Sequence, residues 1–193
     1  MKVELIDKMG TDLSVVNAAR VSYAKEKEEF EESDERLIRY LAEHKHWSPF
    51  AHTFLSFRIK APVFVARQLV KHQVGLVWNE ESRRYITYDP EIYNIRKWRK
   101  KPDSSKQGSG EQILISTELN LEVNEHLQQG LSLYNRLLLE NVAPEQARAV
   151  LPQSMYTNWI WSGTLYAFAR VCELRLDEHS QKETQEIARQ LDI

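Results

Sequence analysis

One stretch constrains most of what this chain can become. From Thr53 to Lys60, apolar and polar residues alternate: Leu55, Phe57 and Ile59 fall on one side, Ser56, Arg58 and Lys60 on the other. A period of two is the pattern of a strand with one face on a core and one in solvent. Pro62 follows where a helix would begin, and Val63, Phe64, Ala66, Leu69 and Val70 give that helix an apolar face. A chain holding both is neither all-α nor all-β.

The remaining pattern is mostly helical. Val3 to Ile6 reads as a short strand ended by Gly10, and Thr11 or Asp12 as the cap of a helix carrying Leu13, Val16, Ala19 and Val21. The charged run from Lys25 to Glu32 reads as solvated, and Ser33 as the cap of a helix with Leu37, Ile38 and Leu41 on one face. Gln73 to Tyr85 shows no period and reads as a loop. Residues 98–111, with Pro102, Ser104, Ser105, Gly108, Ser109 and Gly110, read as linker-like. A long helix is expected from about Ser116 to Glu140, a short one between Pro144 and Pro152, and one long helix from Gly163 to the end, with Leu165, Phe168, Ala169, Cys172 and Leu176 on one stripe. The expected fold class is α+β: a single domain over 1–193 with a small mixed or antiparallel sheet flanked by long helices.

Composition bounds function. A length of 193 residues fits one domain. With 26 basic and 28 acidic residues the net charge is −2, which excludes a generally basic nucleic-acid coat and an acidic tail protein. The single cysteine, Cys172, excludes an internal disulfide and a cysteine-rich zinc site, and its place on an apolar stripe reads as a structural thiol. No apolar run approaches the roughly 20 residues of a membrane span. Acids interrupt the N-terminal apolar stretch, unlike a signal peptide, so a cytoplasmic location is expected.

Three polar clusters stand out. The densest runs through Arg67, Gln68, Lys71, His72, Gln73, Asn79, Glu80, Glu81, Ser82, Arg83, Arg84 and Tyr85. Arginines and a serine hydroxyl suit a phosphate, so these residue types fit a planar anion such as a nucleotide. The second holds Arg175, Asp177, His179 and Gln181, with Arg175 and His179 four apart and Leu174 and Leu176 beside the arginine. The third holds His44, His46, Ser48 and His52. It lacks a carboxylate at ligand spacing, so no metal is expected. No GxGxxG is present, so a dinucleotide would not be held by a Rossmann turn.

Several blocks, in order, carry a resemblance. These are Ala18-Ala19-Arg20-Val21-Ser22, His46-Trp47-Ser48-Pro49-Phe50-Ala51-His52, Ala61-Pro62 through Arg67-Gln68, and Lys71-His72-Gln73 with Ser82 after eight residues. Arg148 to Pro152 and Leu174-Arg175-Leu176-Asp177-Glu178-His179 follow. Together they resemble the flavin-dependent thymidylate synthases over most of the length. The resemblance implies reductive methylation of dUMP to dTMP, FAD as cofactor, NADPH and methylenetetrahydrofolate as co-substrates, and a homotetramer with active sites at subunit interfaces. It implies no membrane and no nucleic-acid partner. Carried over by position, Gln68, Glu80, Ser82, Arg83, Arg84, Arg148 and Arg175 would hold dUMP, with Arg175 activating the uracil ring. Ser22, His46, Ser48, Lys71, His72, Gln73, Asn79 and Glu80 would contact FAD.

The chain also departs from the pattern. Lys71 and Gln73 stand where the family triplet has arginines. Thr164, Tyr166 and Arg170 stand where many relatives have Asn, Arg and Asn. The chain ends soon after Leu191, which bears on the tetramer or the folate entrance. A second class of function is a nucleotide- or RNA-binding module on the same fold without flavin chemistry. The altered triplet and the basic, aromatic stretch Lys97-Trp98-Arg99-Lys100-Lys101 motivate it.

Overall fold

A computed structural model describes residues 1–103 and 107–192. Strand β1 (Lys2–Met9) leads into α1 (Asp12–Arg20) and α2 (Glu32–Glu43). Strand β2 (Phe54–Pro62) passes directly into α3 (Val63–Leu69), and β3 (Leu76–Glu80) follows. Two short strands, β4 (Trp98–Arg99) and β5 (Gln112–Ile113), precede the long α4 (Thr117–Leu139) and the brief α5 (Pro144–Ala147). Strand β6 (Tyr156–Thr164), α6 (Leu165–Arg175) and α7 (Lys182–Leu191) complete the order.

Strands β1, β2, β6 and β3 form one antiparallel sheet in that order, and β4 pairs with β5 in a separate ribbon. The alternation between Thr53 and Lys60 behaves as its period demands: Phe57 and Ile59 are buried and Arg58 is exposed. The buried face of β6 adds Trp159 and Trp161, and Val65, Leu69, Phe168, Val171 and Ile187 from α3, α6 and α7 close over it. Trp78 stacks on Trp159 at 4.3 Å between ring centroids, and Phe168 meets both Phe57 and Trp161 edge-on.

Four expectations need correction. Gln73 to Tyr85 is not all loop, because Leu76–Glu80 pairs with β6 as an edge strand; Leu76 and Trp78 face inward, but the exposed face carries the apolar Val77, so the residue types do not alternate. Gly163 to the end is not one helix: β6 runs to Thr164, and α6 stops at Arg175 before a turn that leads into α7. Ser33 is not the cap of α2. The cap is Glu31, whose N–H donates to the buried Asp34 carboxylate at 3.0 Å. Arg20 and Lys27 pair with the same carboxylate at 2.8 and 2.7 Å, so the helix start is set by that cluster. Hydrogen bonding from Lys27, then from Arg20 and the Glu31 N–H, outweighs desolvation and lowers Asp34 to about 2. Finally, Val21 lies beyond α1 and is exposed, not on its apolar face. Within the linker-like stretch, Ser104 and Ser105 lie outside the described residues.

The turn before β3 is held against the end of β6 by backbone alone. The Thr164 N–H donates to the Gly75 carbonyl at 3.1 Å. A Cβ at Gly163 would lie 2.1 Å from that same oxygen, and the obstacle is main chain, which no side-chain rotation relieves. Gly75 itself has φ +76°, in the left-handed region that glycine tolerates best. Gly163→Ala is therefore expected to destabilise the fold by at least about 1–3 kcal/mol, the range of overpacked sites, as measured by urea denaturation.

Candidate active site

Two cavities are lined by residues of α3, α6 and the turns that follow them. The first, about 550 Å³, is lined by Trp47, Lys71, His72, Gln73, Tyr166 and Arg170, among others. The second, about 410 Å³, is lined by Gln68, Arg99, Ser109, Arg175, His179 and Gln181, among others. His72 of the first meets Arg175 of the second: Arg175 Nε donates to His72 Nε2 at 2.8 Å.

That bond fixes a protonation state. An imidazole nitrogen that accepts cannot carry a proton, so His72 is neutral with its hydrogen on Nδ1. Burial of the ring, then the charges of Arg175 and Arg170, hold its pKa below the ordinary value. Arg175 spends only Nε here, and no described residue accepts from its two Nη nitrogens. The result is a half-buried, fixed cation with free donors in a pocket of polar side chains.

The first cavity has the lining of a site for a flat, anionic cofactor. Trp47 and Tyr166 approach at 5.8 Å between centroids and supply aromatic walls. Lys71 and Arg170 supply cations for a diphosphate, and the first turn of α6, capped by Thr164 Oγ1, opens onto it. Gly75 brings bare backbone to the rim, since a Cβ there would meet Ala167 Cβ at 3.1 Å and Thr164 Oγ1 at 3.3 Å. These donors and walls fit a flavin dinucleotide.

The other expected site residues divide by location. Gln68 shares the second cavity with Arg175. Ser22, His46 and Ser48 line a shallow recess on the far side of Trp47. Glu80 ends β3 and accepts from Thr157 Oγ1 at 2.7 Å and Trp78 Nε1 at 3.1 Å. Ser82, Arg83 and Arg84 lie beyond it, and β3 alone separates them from the first cavity by roughly 15 Å. Asn79 is exposed on the edge strand, and Arg148 is exposed in the turn after α5. Arg83 is buried, with its guanidinium on the Tyr88 carbonyl and over the Tyr88 ring. Ser82 Oγ stands 3.3 Å from the Arg84 N–H, and the Arg84 side chain is exposed. Ser82, Arg83 and Arg84 line neither of the two cavities.

Sequence spacing also pairs Arg175 with His179 on one helix face. The helix ends at Arg175, and the His179 N–H instead donates to the Asp177 carboxylate at 2.8 Å. Sequence reading gives Trp47 and Glu183 no site role of their own and takes Arg99 only as part of a basic, aromatic stretch; Arg99 joins Glu183 across 84 residues, a contact that no local pattern signals. Among the described residues no group of three potential ligands is placed to hold a metal ion. Burial, aided by Asp192, pushes the Cys172 thiol up to about 11, so it offers no thiolate. Within the basic stretch Arg99 pairs with the buried Glu183 and Lys100 faces the exposed Asp103 and Glu111, while Lys97 and Lys101 are exposed.

The family described as thymidylate synthase complementing protein matches residues 4–192. The chain belongs to that family. Two relatives in it are named flavin-dependent thymidylate synthase. The one from Kosmotoga olearia is 40% identical over 190 residues, covering 96% of this chain and 81% of its own. One from Thermus thermophilus is 39% identical over 187 residues, covering 97% and 68%. Among solved structures, the family resemblance extends to the UMP/dUMP methylase PolB from Streptomyces cacaoi bound with 5-Br dUMP, at 32% identity and a TM-score of 0.84, covering 99% of this chain and 88% of that one. The α+β fold with its small antiparallel sheet is thus the family's fold. Among the described residues, no helix is long and apolar enough to cross a membrane.

The state of His72 sets a pH dependence. Its folded-state pKa is depressed, so the neutral ring contributes stability above the ordinary histidine value, and that contribution is lost as pH falls through the folded value. NMR titration of the His72 ring is expected to give a pKa below 6.5, rising toward the ordinary value in Arg175→Gln.

Proposed function

We propose that the chain is a flavin-dependent thymidylate synthase. It methylates dUMP to dTMP, taking the carbon from methylenetetrahydrofolate and the electrons from NADPH through FAD. The observation that carries this reading is the Arg175–His72 bond, which joins a cofactor-sized aromatic and cationic cleft to a polar pocket holding an unspent guanidinium.

When bound, the flavin supplies the redox chemistry that reduces the transferred carbon to a methyl group. The protein's own residues bind, orient and polarise. Lys71 and Arg170 would hold the cofactor's diphosphate, and Trp47 and Tyr166 would flank its flat ring systems. Arg170, on the same cleft as Gln73, would supply a cation that Gln73 does not. In the second pocket Arg175 stabilises negative charge on the pyrimidine oxygens and N3, which raises electron density at C5, the carbon that takes the methyl. His72 has no proton at Nε2 to share, so it holds Arg175 by accepting and leaves both Nη groups to the substrate. No covalent step through Cys172 is required, and its buried thiol agrees with that.

The active form is a homotetramer with sites shared between subunits, and it works in the cytoplasm. The absence of Ser82 and Arg84 from the lining of the Arg175 pocket supports a shared site, with the serine–arginine group of one copy holding the phosphate end of a nucleotide seated at Arg175 of another. The exposed Leu114, Leu121 and Leu139 in and around α4 give a second copy apolar surface to cover.

Three measurements test this reading. Anaerobic NADPH plus dUMP is expected to bleach the bound flavin's visible absorbance, and Arg175→Ala is expected to keep flavin while losing turnover by more than roughly 10²-fold. A protein that takes up no FAD overturns the assignment. Arg84→Ala and Arg175→Ala, each inactive alone, are expected to regain part of the activity when dissociated together and reassembled. No recovery on mixing overturns the shared site.

A further inference from the structure

Helix α7 begins with a polar cluster too buried for a surface role: Glu183 is 7% exposed and Thr184 is 0%. The Glu183 carboxylate accepts twice from Arg99 Nη2, at 2.7 and 2.8 Å, while Arg99 Nε donates to Ser109 Oγ at 2.8 Å. Glu183 Oε2 also accepts from Gln181 Nε2 at 2.9 Å. Burial raises the Glu183 pKa, but the hydrogen bonds from Arg99 and Gln181 outweigh it and hold the carboxyl below its ordinary value. Glu183 is therefore a carboxylate, which only accepts.

An acceptor at that point orients every amide after it. Gln181 must turn its nitrogen to Glu183, which leaves its oxygen for Gln68, and Gln68 Nε2 donates to that oxygen. Gln68 is then fixed with its nitrogen toward Gln181 and its oxygen toward Thr184, whose hydroxyl donates to it at 3.1 Å. A glutamine amide in water reads equally well either way round. Here the charge pair Arg99–Glu183 selects one orientation through an unbroken run of hydrogen bonds.

The relay ends in the Arg175 pocket, which Gln68, Gln181, Arg99 and Ser109 all line. Among the described residues no acceptor takes the second N–H of Gln68, and its carbonyl keeps one lone pair after Thr184. A donor beside an acceptor complements the O4 and N3–H edge of a uracil. The same edge of a cytosine carries an amino donor and a bare N3, so it meets donor with donor and acceptor with acceptor.

We propose that Arg99 and Glu183 are positioning residues that, through Gln181, lock the Gln68 amide in the orientation that accepts uracil and rejects cytosine. This deepens the dUMP reading and rests on it. A site built around a directed amide discriminates because the wrong base leaves polar groups unpaired in a half-buried pocket.

The test compares dUMP with dCMP on the purified flavin-loaded protein, by calorimetry and by steady-state turnover. The wild type is expected to bind dUMP about 100-fold more tightly than dCMP. Glu183→Gln replaces the pure acceptor with a group that pairs either way. It is expected to shrink that preference about tenfold, raising KM for dUMP while kcat and flavin content stay near wild type. Arg99→Lys, which retains the charge, is expected to keep most of the preference. Gln181→Met cuts the relay while leaving the Arg99–Glu183 pair in place, and it decides the matter if Glu183→Gln fails to fold. A preference unchanged in the folded variants overturns the relay, as does an equal loss of affinity for both nucleotides. A wild type that binds neither nucleotide overturns the dUMP reading itself.

Discussion

The geometry of both cavities depends on two backbones being allowed to touch. Gly163, near the end of β6, lies so close to the Gly75 carbonyl that no side chain fits between them, and the next residue, Thr164, donates its N–H to that carbonyl. This clasp pins the turn carrying Lys71, His72 and Gln73 to the central part of the sheet. The sheet is held in turn by Trp159 and Trp161 under α3, α6 and α7. His72 reaches Arg175 because the turn is anchored on one side and α6 on the other. A looser turn would separate the residues that divide the cofactor cleft from the substrate pocket.

Charge is handled differently at different depths. Asp34 and Glu183 are buried carboxylates, and each is matched by cations and hydrogen bonds, as a charge withdrawn from water requires. Arg175 is the exception. Among the described residues its side-chain hydrogen bond is to a neutral histidine, which orients the guanidinium without neutralising it. A cation oriented but not neutralised keeps its full field for a developing anion, and it needs no rearrangement when that anion forms. Structural ion pairs and the reactive guanidinium therefore follow opposite rules within one small molecule.

Much of this is legible in the sequence, and the rest is not, for physical reasons. β2 and α3 can be read because both display their burial as a period, and the sequence blocks lead to Lys71-His72-Gln73, Gln68 and Arg175. β3 escapes because its exposed face carries the apolar Val77, so burial alternates along the strand while hydropathy does not. The final helix reads as too long because nothing between Leu176 and Gln181 is a strong breaker; the turn there is held by Gln185, whose amide donates to the carbonyls of Asp177, Glu178 and Ser180. Spacing gives Arg175 a helical neighbour in His179, while its actual partner lies 103 residues away. Local spacing ranks nearby pairs, whereas the site is built from distant ones.

The lone cysteine has a consequence of its own. Cys172 sits under the sheet against α7, with its sulfur 3.8 Å from the Ala188 carbonyl and its proton held well into the alkaline range. A thiol shielded in this way reacts with an alkylating reagent only when α6 and α7 part. The protein thus carries a single native probe of its own opening. The rate at which that sulfur is labelled, with and without nucleotide, reports how firmly ligands at the neighbouring pockets hold the two helices together.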